Sequence, residues 1–281
     1  SNFTILKENP IHWKYAQNSI LAKLIQIPRL GLVMDVDGTI SPIVVHPEEA
    51  RIPTNIKKLL AELSANIFLV GVISGRTVED IVHRVGISDF IYIGNHGFER
   101  WINGESVIHP QVAQFRLALE AAMEDIRLLP ELRAEMYIED KGATISIHYR
   151  QSKLKKFVNE KVKPKIRAVA KRHQLVFSEG RMVFELRPPI KINKGTAFEK
   201  IVEEHKLDAA LYIGDDITDI PALLKTQELR KNSKCLSYGI GVKSGDRLVL
   251  DASDFFASDI PDVEVLLSWL LMARKESSVG L

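Results

Sequence analysis

Cysteine is almost missing from this chain of 281 residues: Cys235 stands alone. An intrachain disulfide is excluded, and nothing resembles a paired-thiol or zinc spacing. A reducing cytoplasm is the simplest setting. Long apolar runs are missing too, none approaching the ~20 residues needed to span a bilayer, and the start lacks a basic-then-apolar signal pattern. The sequence therefore predicts no membrane association. Neither charge sign is in excess, with 38 Lys and Arg against 36 Asp and Glu, so no global field argues for nucleic acid and any anion must be bound locally. A Gly-x4-Gly-Lys-Ser/Thr loop is lacking, which removes support for a nucleoside triphosphatase of that class. Internal repeats, low-complexity tracts and a flexible Gly/Ser linker are also lacking. The opening Ser1-Asn2 reads as a processed or engineered start.

What is there is a hydrophobic content of 46%, enough for one large domain or two modest ones. Four short strings also stand out: Asp35-Val-Asp37-Gly38-Thr39, Ser74-Gly75-Arg76, Lys194-Gly195 and Gly214-Asp215-Asp216-Ile-Thr218-Asp219. The first follows Leu30 to Met34, a continuous apolar run that reads as a buried parallel strand. In open α/β sheets ligands sit beyond the carboxyl ends of the strands, so Asp35 and Asp37 fall where chemistry is expected.

Around these strings the spacing predicts a helix from Pro10 to Ile27 and a second helix after Thr54 as N-cap. It then predicts a strand from Ile67 to Ile73, a helix from Thr77 to Val85 and a strand from Phe90 to Ile93. This alternation implies right-handed crossovers and a parallel sheet. The pattern changes after Pro110: a helix over 111–129, strands within Glu135 to Tyr149, a basic helix from Lys153 to His173 and further strands to Leu186. From Asn193 the earlier grammar returns, with a strand from Ala209 to Ile213 and a terminal helix from Val263 to Met272. The expected architecture is an α/β, doubly wound parallel-sheet core interrupted by an α+β insert: core over 1–109, insert over 110–188, core again over 189–281.

The residue types suggest phosphate chemistry. Asp35 can attack phosphorus and form an aspartyl-phosphate, and Asp37 can protonate the departing alkoxide and then deprotonate the hydrolytic water. Carboxylates facing a phosphate repel it, so a cation is required, and Mg2+ suits oxygen ligands from Asp35, Asp37 and Asp215. Thr39, Ser74 and the amides near Gly38 and Gly75 are candidate phosphate donors, Lys194 supplies positive charge, and Asp216 and Asp219 are expected to orient the lysine and the ligands. Arg76, Asn95 and His96 join the substrate-binding candidates. Each string alone also reads blandly, as a turn, a helix start or a solvated acidic loop. Their conjunction at strand ends favours catalysis.

Together these residues resemble the haloacid dehalogenase superfamily, which implies an aspartate nucleophile, a magnesium ion and a mobile cap of the IIB type formed by the insert. More specifically, Gly94-Asn95-His96-Gly97-Phe98-Glu99, Glu139-Asp140-Lys141-Gly142, His148-Tyr149-Arg150 and Glu185-Leu186-Arg187-Pro188 are similar in order and spacing to the trehalose-6-phosphate phosphatase family. That resemblance implies that Glu139, Lys141, Arg150 and Glu185 bind sugar hydroxyls and the region near the phosphate. It implies hydrolysis of a phosphorylated disaccharide and leaves room for association with a trehalose-phosphate synthase. Ile220-Pro221 stands where the family often continues with acidic residues. The alternatives are a phosphatase for another glycosyl phosphate, a phosphosugar mutase, or a non-catalytic phosphosugar sensor. The basic stretch from Lys153 to Arg172 lacks interleaved aromatics beyond Phe157, so it reads as a solvated face rather than a nucleic-acid contact.

Overall fold

The computed structural model describes residues 9–277, so the Ser1-Asn2 start lies outside them. The chain divides into two compact units, one comprising residues up to Gly97 and from Ile192 onward, the other Phe98–Lys191. The second contains all of the expected 110–188 insert together with a hairpin, Glu99–Ile102 and Glu105–Ile108, that hydropathy reading passed over. No helix among the described residues is long and apolar enough to cross a membrane.

The first unit is built on parallel strands. Their spatial order is Ile11–His12, Phe255–Ala257, Leu236–Val242, Ala209–Gly214, Leu30–Met34, Leu69–Ile73 and Ile91–Gly94. Each strand in this order runs parallel to its neighbours. All residues of Leu30–Met34, Leu69–Ile73 and Ala209–Gly214 are buried, because helices cover both faces of a doubly wound sheet and leave no side for polar alternation. From Leu30–Met34 the chain winds outward through Leu69–Ile73 to Ile91–Gly94, and from Ala209–Gly214 it winds outward the other way. The two central strands therefore flank the topological switch point, where the loops diverge and leave a crevice. Asp35 and Asp215 follow directly on them.

The helices carry local signals that place their ends. Thr77 caps Val78–Val85 by accepting from the Asp80 N–H, and Gly86 closes that helix at φ 67°. Asn193 and Thr196 form a reciprocal capping box that starts Lys194–His205. Two expectations need correction. Thr54 is the first residue of its helix, Thr54–Asn66, and Pro53 occupies the cap position. The segment from Pro10 to Ile27 is not one helix: Ile11–His12 joins the sheet edge, Trp13–Ala16 is a 3-10 turn and Ile20–Ile25 a short α-helix. Trp13 is the reason, since its fully buried indole packs near Trp269 and donates to Asp262 at 3.2 Å, which fixes the chain beside Phe255–Ala257. Arg274, on the terminal helix Ile260–Glu276, donates to the carbonyls of Ile25, Ile27 and Pro28 and so satisfies groups that the short helix leaves open.

The second unit has an antiparallel sheet ordered Tyr137–Asp140, Ile145–His148, Val183–Arg187, Val176–Gly180. Ile138, Ile145, Ile147, Phe184 and Leu186 point to one face, where they pack with Leu119, Met123, Ile126, Ile166 and Val169 from the helices Arg116–Arg127 and Lys163–Arg172. The expected helix over 111–129 is broken at Gln114–Phe115, and the basic helix runs from a short α-helical segment, Lys155–Phe157, through a π-helical turn, Val158–Val162, into Lys163–Arg172. Its basic face is partly neutralised, with Lys163 on Glu179 at 2.7 Å and Arg172 on Asp125 at 2.8 Å.

Candidate active site

At the switch point, Asp35, Asp215 and Asp219 bring carboxylate oxygens within 4.8 Å of one another, all buried. Lys194 reaches this cluster from the first turn of its helix, with Nζ 3.2 Å from Asp35 Oδ1 and 3.1 Å from Asp219 Oδ1. Only 2% of the lysine is exposed, so solvent does little to screen these contacts. Burial alone would lower the Lys194 pKa, but the charges of Asp219 and Asp35 outweigh it and hold the ammonium well above its ordinary range.

The carboxylates respond differently to the same pocket. Burial, and then repulsion from Asp219, pushes the Asp35 carboxyl well above its usual range despite Lys194. Burial and Asp219 likewise push Asp215 up to about 7. For Asp219, burial is outweighed by Lys194, Asp35 and Tyr212, and its pKa falls. The hydrogen bonds explain why Asp219 holds the charge. Its Oδ1 accepts from Lys194 Nζ at 3.1 Å and from the Tyr212 hydroxyl at 2.6 Å, while its Oδ2 accepts from the N–H groups of Asp215 and Asp216 at 3.1 Å each. A carboxylate so satisfied is a poor metal ligand. Asp35 and Asp215 are the groups with capacity for a cation.

The donor set fits a hard divalent ion. Three ionised carboxylates against one ammonium leave a deficit of two positive charges, and all the clustered donors are oxygens. Asp35 and Asp215, driven toward protonation by burial, would ionise fully beside such an ion. Gly38 keeps space beside the Asp215 carboxylate. Its φ is +81°, and a Cβ there would collide with Asp215 Oδ2. The same tight turn, with Gly38 N–H donating to the Ser41 carbonyl at 2.7 Å, brings Thr39 back toward the strand of Asp215.

Several expected roles change on this geometry. Asp37 is not in the carboxylate cluster: Arg76 holds it in a two-point fork, Nε to Oδ2 at 2.7 Å and a terminal nitrogen to Oδ1 at 2.9 Å. Its side chain is therefore set apart from the ligand pair, because the turn at Gly38 aims it at the guanidinium. Arg76 itself faces Asp37, Asp80 and the Pro47 carbonyl. Thr39, expected to donate to phosphate, gives its hydroxyl to Asp215 Oδ1 at 3.0 Å and thus orients that carboxylate. Asp216 caps the short turn Ile217–Asp219, accepting from the Thr218 N–H and hydroxyl. Tyr212 was missed, since a tyrosine inside an apolar strand gives no signal of its partner seven residues on.

The Ser74 loop is rigid. Ser74 is buried, its Oγ accepts from the Arg76 N–H at 3.0 Å and its carbonyl accepts from the His96 N–H at 2.9 Å. A Cβ on Gly75 would stand 2.6 Å from the His96 ring, so glycine is needed for the imidazole to lie there. Asn95 and His96 both have positive φ, 48° and 56°, a strained pair of the kind that persists where surroundings enforce it. Asn95 is fully buried, and its N–H donates to the Arg76 carbonyl at 2.8 Å.

In the second unit, the register sets Glu139 opposite Ser146 and Ser146 opposite Glu185, so both acids stand on the sheet face turned away from the helices. Lys141, only 8% exposed, reaches Glu185 at 3.1 Å. Glu139 meets His148 Nε2 at 2.9 Å, and His148 stacks on Tyr137 with ring centroids 4.5 Å apart. Arg150 makes only a long 3.5 Å contact with the Arg181 carbonyl.

Comparison with known proteins places this arrangement. The trehalose-phosphatase family model matches residues 33–240. The chain is 28% identical over 207 residues to a probable trehalose-phosphate phosphatase J of Arabidopsis thaliana, covering 68% of this chain and 55% of that protein. It is 33% identical over 197 residues to a trehalose-phosphate phosphatase of Mycolicibacterium paratuberculosis, covering 67% and 49%. The chain thus spans about half the length of either relative. In fold it is similar to the C-terminal domain of the C. albicans trehalose-6-phosphate phosphatase, with a TM-score of 0.77 at 21% identity over 95% of this chain and 99% of that one. With its family model matched over most of the chain and its carboxylates gathered at the switch point of a doubly wound sheet, the chain belongs to the trehalose-phosphatase family.

Proposed function

We propose that the chain hydrolyses the phosphate monoester of a disaccharide, trehalose 6-phosphate, to the free sugar and phosphate through an aspartyl-phosphate on Asp35. The feature that most supports this reading is the buried Asp35–Lys194–Asp219–Asp215 cluster. A structural ion pair would need one acid for one lysine, whereas here two further carboxylates are held at a raised pKa for no stabilising return.

In this reading an Asp35 oxygen forms a bond to phosphorus as the bond from phosphorus to the sugar oxygen breaks. The sugar oxygen takes a proton from Asp37. Asp37, now a carboxylate, accepts a proton from the water whose oxygen attacks the same phosphorus, which releases phosphate and restores Asp35. Lys194 favours the ionised form of Asp35 and draws on the phosphoryl oxygens, and Asp219 holds Lys194 in place. Asp35 and Asp215 would hold Mg2+, which supplies charge to offset that of the phosphoryl group. Glu139, Lys141, Arg150 and Glu185 are the proposed sugar-recognition groups, with hydroxyls satisfied by carboxylate and ammonium partners that aliphatic side chains cannot replace.

The test is phosphate release from a panel of sugar phosphates with and without Mg2+. Trehalose 6-phosphate should be preferred, and Asp35→Asn should abolish turnover while the melting curve is retained. Hydrolysis undiminished in Asp35→Asn refutes the nucleophile, and binding without any release by the wild type would make the chain a sensor.

A further inference from the structure

We propose that Arg76 is the positioning residue of the general acid: it does not bind substrate but fixes the rotamer of Asp37. This rests on the reading of Asp37 as the acid that protonates the leaving sugar oxygen.

Counting donors makes the case. A guanidinium has five N–H groups. In Arg76 the Nε donates to Asp37 Oδ2 at 2.7 Å, one terminal nitrogen donates to Asp37 Oδ1 at 2.9 Å and to the Pro47 carbonyl at 2.8 Å, and the other donates to Asp80 Oδ2 at 3.0 Å. Little remains with which to hold a ligand. The side chain is also only 15% exposed. Arg76 is braced from behind, because Asp80 is itself held by Arg84 Nε at 2.6 Å and Arg84 donates on to the Ala50 carbonyl. Asp80 and Arg84 sit on Val78–Val85, a capped helix, so the brace is anchored to a regular element. The chain Arg84–Asp80–Arg76–Asp37 thus runs from a rigid helix to the proposed acid.

Such a fork matters for proton donation in two ways. It is planar and bidentate, so it removes the side-chain rotation that would otherwise carry the carboxyl out of reach of the leaving oxygen. It also ties the carboxyl through Asp80 and Arg84 to a capped helix, so the side chain is held from behind. When the bond from phosphorus to the sugar oxygen breaks, the proton moves to that oxygen and leaves Asp37 as the carboxylate.

Leaving-group dependence tests this. A sugar alkoxide cannot depart without a proton, whereas p-nitrophenolate can, so a residue acting through the acid affects the two esters unequally. First-turnover rates with Mg2+ are to be measured for trehalose 6-phosphate and p-nitrophenyl phosphate in the wild type, Arg76→Gln and Arg76→Lys, with circular dichroism to verify folding. Arg76→Gln should slow the sugar ester by about 100-fold, with at least a tenfold smaller effect on the aryl ester. Arg76→Lys, which keeps the charge but loses the fork, should recover part of that loss. If Arg76→Gln does not fold, Arg76→Lys and Asp80→Asn decide, each expected to slow the sugar ester several-fold more than the aryl one. Equal losses on both esters, a raised KM with an unchanged first turnover, or a faster sugar ester would each overturn the proposal. A wild type that hydrolyses neither ester would instead overturn the phosphatase reading itself, with Arg76 falling as its consequence.

Discussion

Asp219→Asn is the sharpest probe of how the cluster is held. Asp219 accepts four hydrogen bonds, and all four come from donors: Lys194, Tyr212 and two backbone N–H groups. An asparagine keeps one acceptor oxygen but must turn its NH2 either toward the backbone pair or toward Lys194 and Tyr212. Toward the backbone pair, donors face donors and two bonds are lost; toward Lys194 and Tyr212 the hydroxyl can turn to accept and one bond is lost, in either case in a region with no exposure. At about 1–3 kcal/mol for each buried group left unsatisfied, the loss is ~1–6 kcal/mol. Lys194 retains Asp35 at 3.2 Å, which argues for the middle of that range, about 3–4 kcal/mol. That is a large share of a typical domain stability.

The assay is urea unfolding in the presence of a chelator, where the midpoint should fall with an unchanged slope. The sign with pH is also defined. The Lys194 pKa is raised, so its contribution is present below the ordinary lysine range and is lost only as pH climbs through the raised value. The Asp219 pKa is lowered, so its contribution is present above the ordinary carboxylate range and is lost as pH falls through the lowered value. Those two contributions are steady from about pH 5 to 9, but Asp219 also helps hold the Asp215 pKa up to about 7, so the deficit of the variant should narrow as pH rises through that value. Asp216→Asn is the control, because its carboxylate only caps a turn and asparagine caps nearly as well. A loss below about 1 kcal/mol for Asp219→Asn, or one matched by Asp216→Asn, would refute the reasoning.

Two more outcomes follow from the same cluster. Asp215 is pushed up to about 7, so the native state binds its proton more tightly than the unfolded chain; the chelated protein should lose stability as pH rises from about 4 through 7, by up to about 4 kcal/mol at ~1.4 kcal/mol per unit. Melting curves between pH 5 and 8 check this: Mg2+ at pH 8 should recover the loss, Asp215→Asn should make the profile shallower, and a level wild-type profile sinks it. Gly38→Ala should cost about 1–3 kcal/mol from the positive φ and the collision with Asp215, and should also abolish the melting shift produced by Mg2+; a variant that keeps that shift would show that Gly38 does not guard the ligand space.

Much of this was legible before any coordinates. Leu30–Met34 and Ala209–Gly214 announce themselves because a strand covered on both faces must be apolar throughout, and acids placed directly after such runs have no role in the core. The fold class and the meeting of Asp35, Lys194 and Asp215 follow from that. What was not legible is where individual polar atoms point. Thr39 could equally have faced a ligand, and only the left-handed turn at Gly38 commits it to Asp215. The Asp37–Arg76 fork joins residues 39 apart in sequence, beyond any local periodicity. The hairpin Glu99–Ile108 was overlooked because Glu99 is the one buried residue in its two strands and the others are half-buried or exposed. The strand Ile11–His12 was misread because two residues are too short a sample to show a period.

The neighbouring strands Leu30–Met34 and Ala209–Gly214 also set a timetable for synthesis. About 180 residues separate them, so at roughly 5–20 residues per second the ribosome delivers the second strand some ten to forty seconds after the first. Throughout that interval the central strand has an unpaired edge, whereas the contiguous unit Phe98–Lys191 can complete its own core. The carboxylate cluster therefore closes late in translation. In a nascent chain the exposed edge of Leu30–Met34 is the expected point of chaperone capture or of mispairing with another copy.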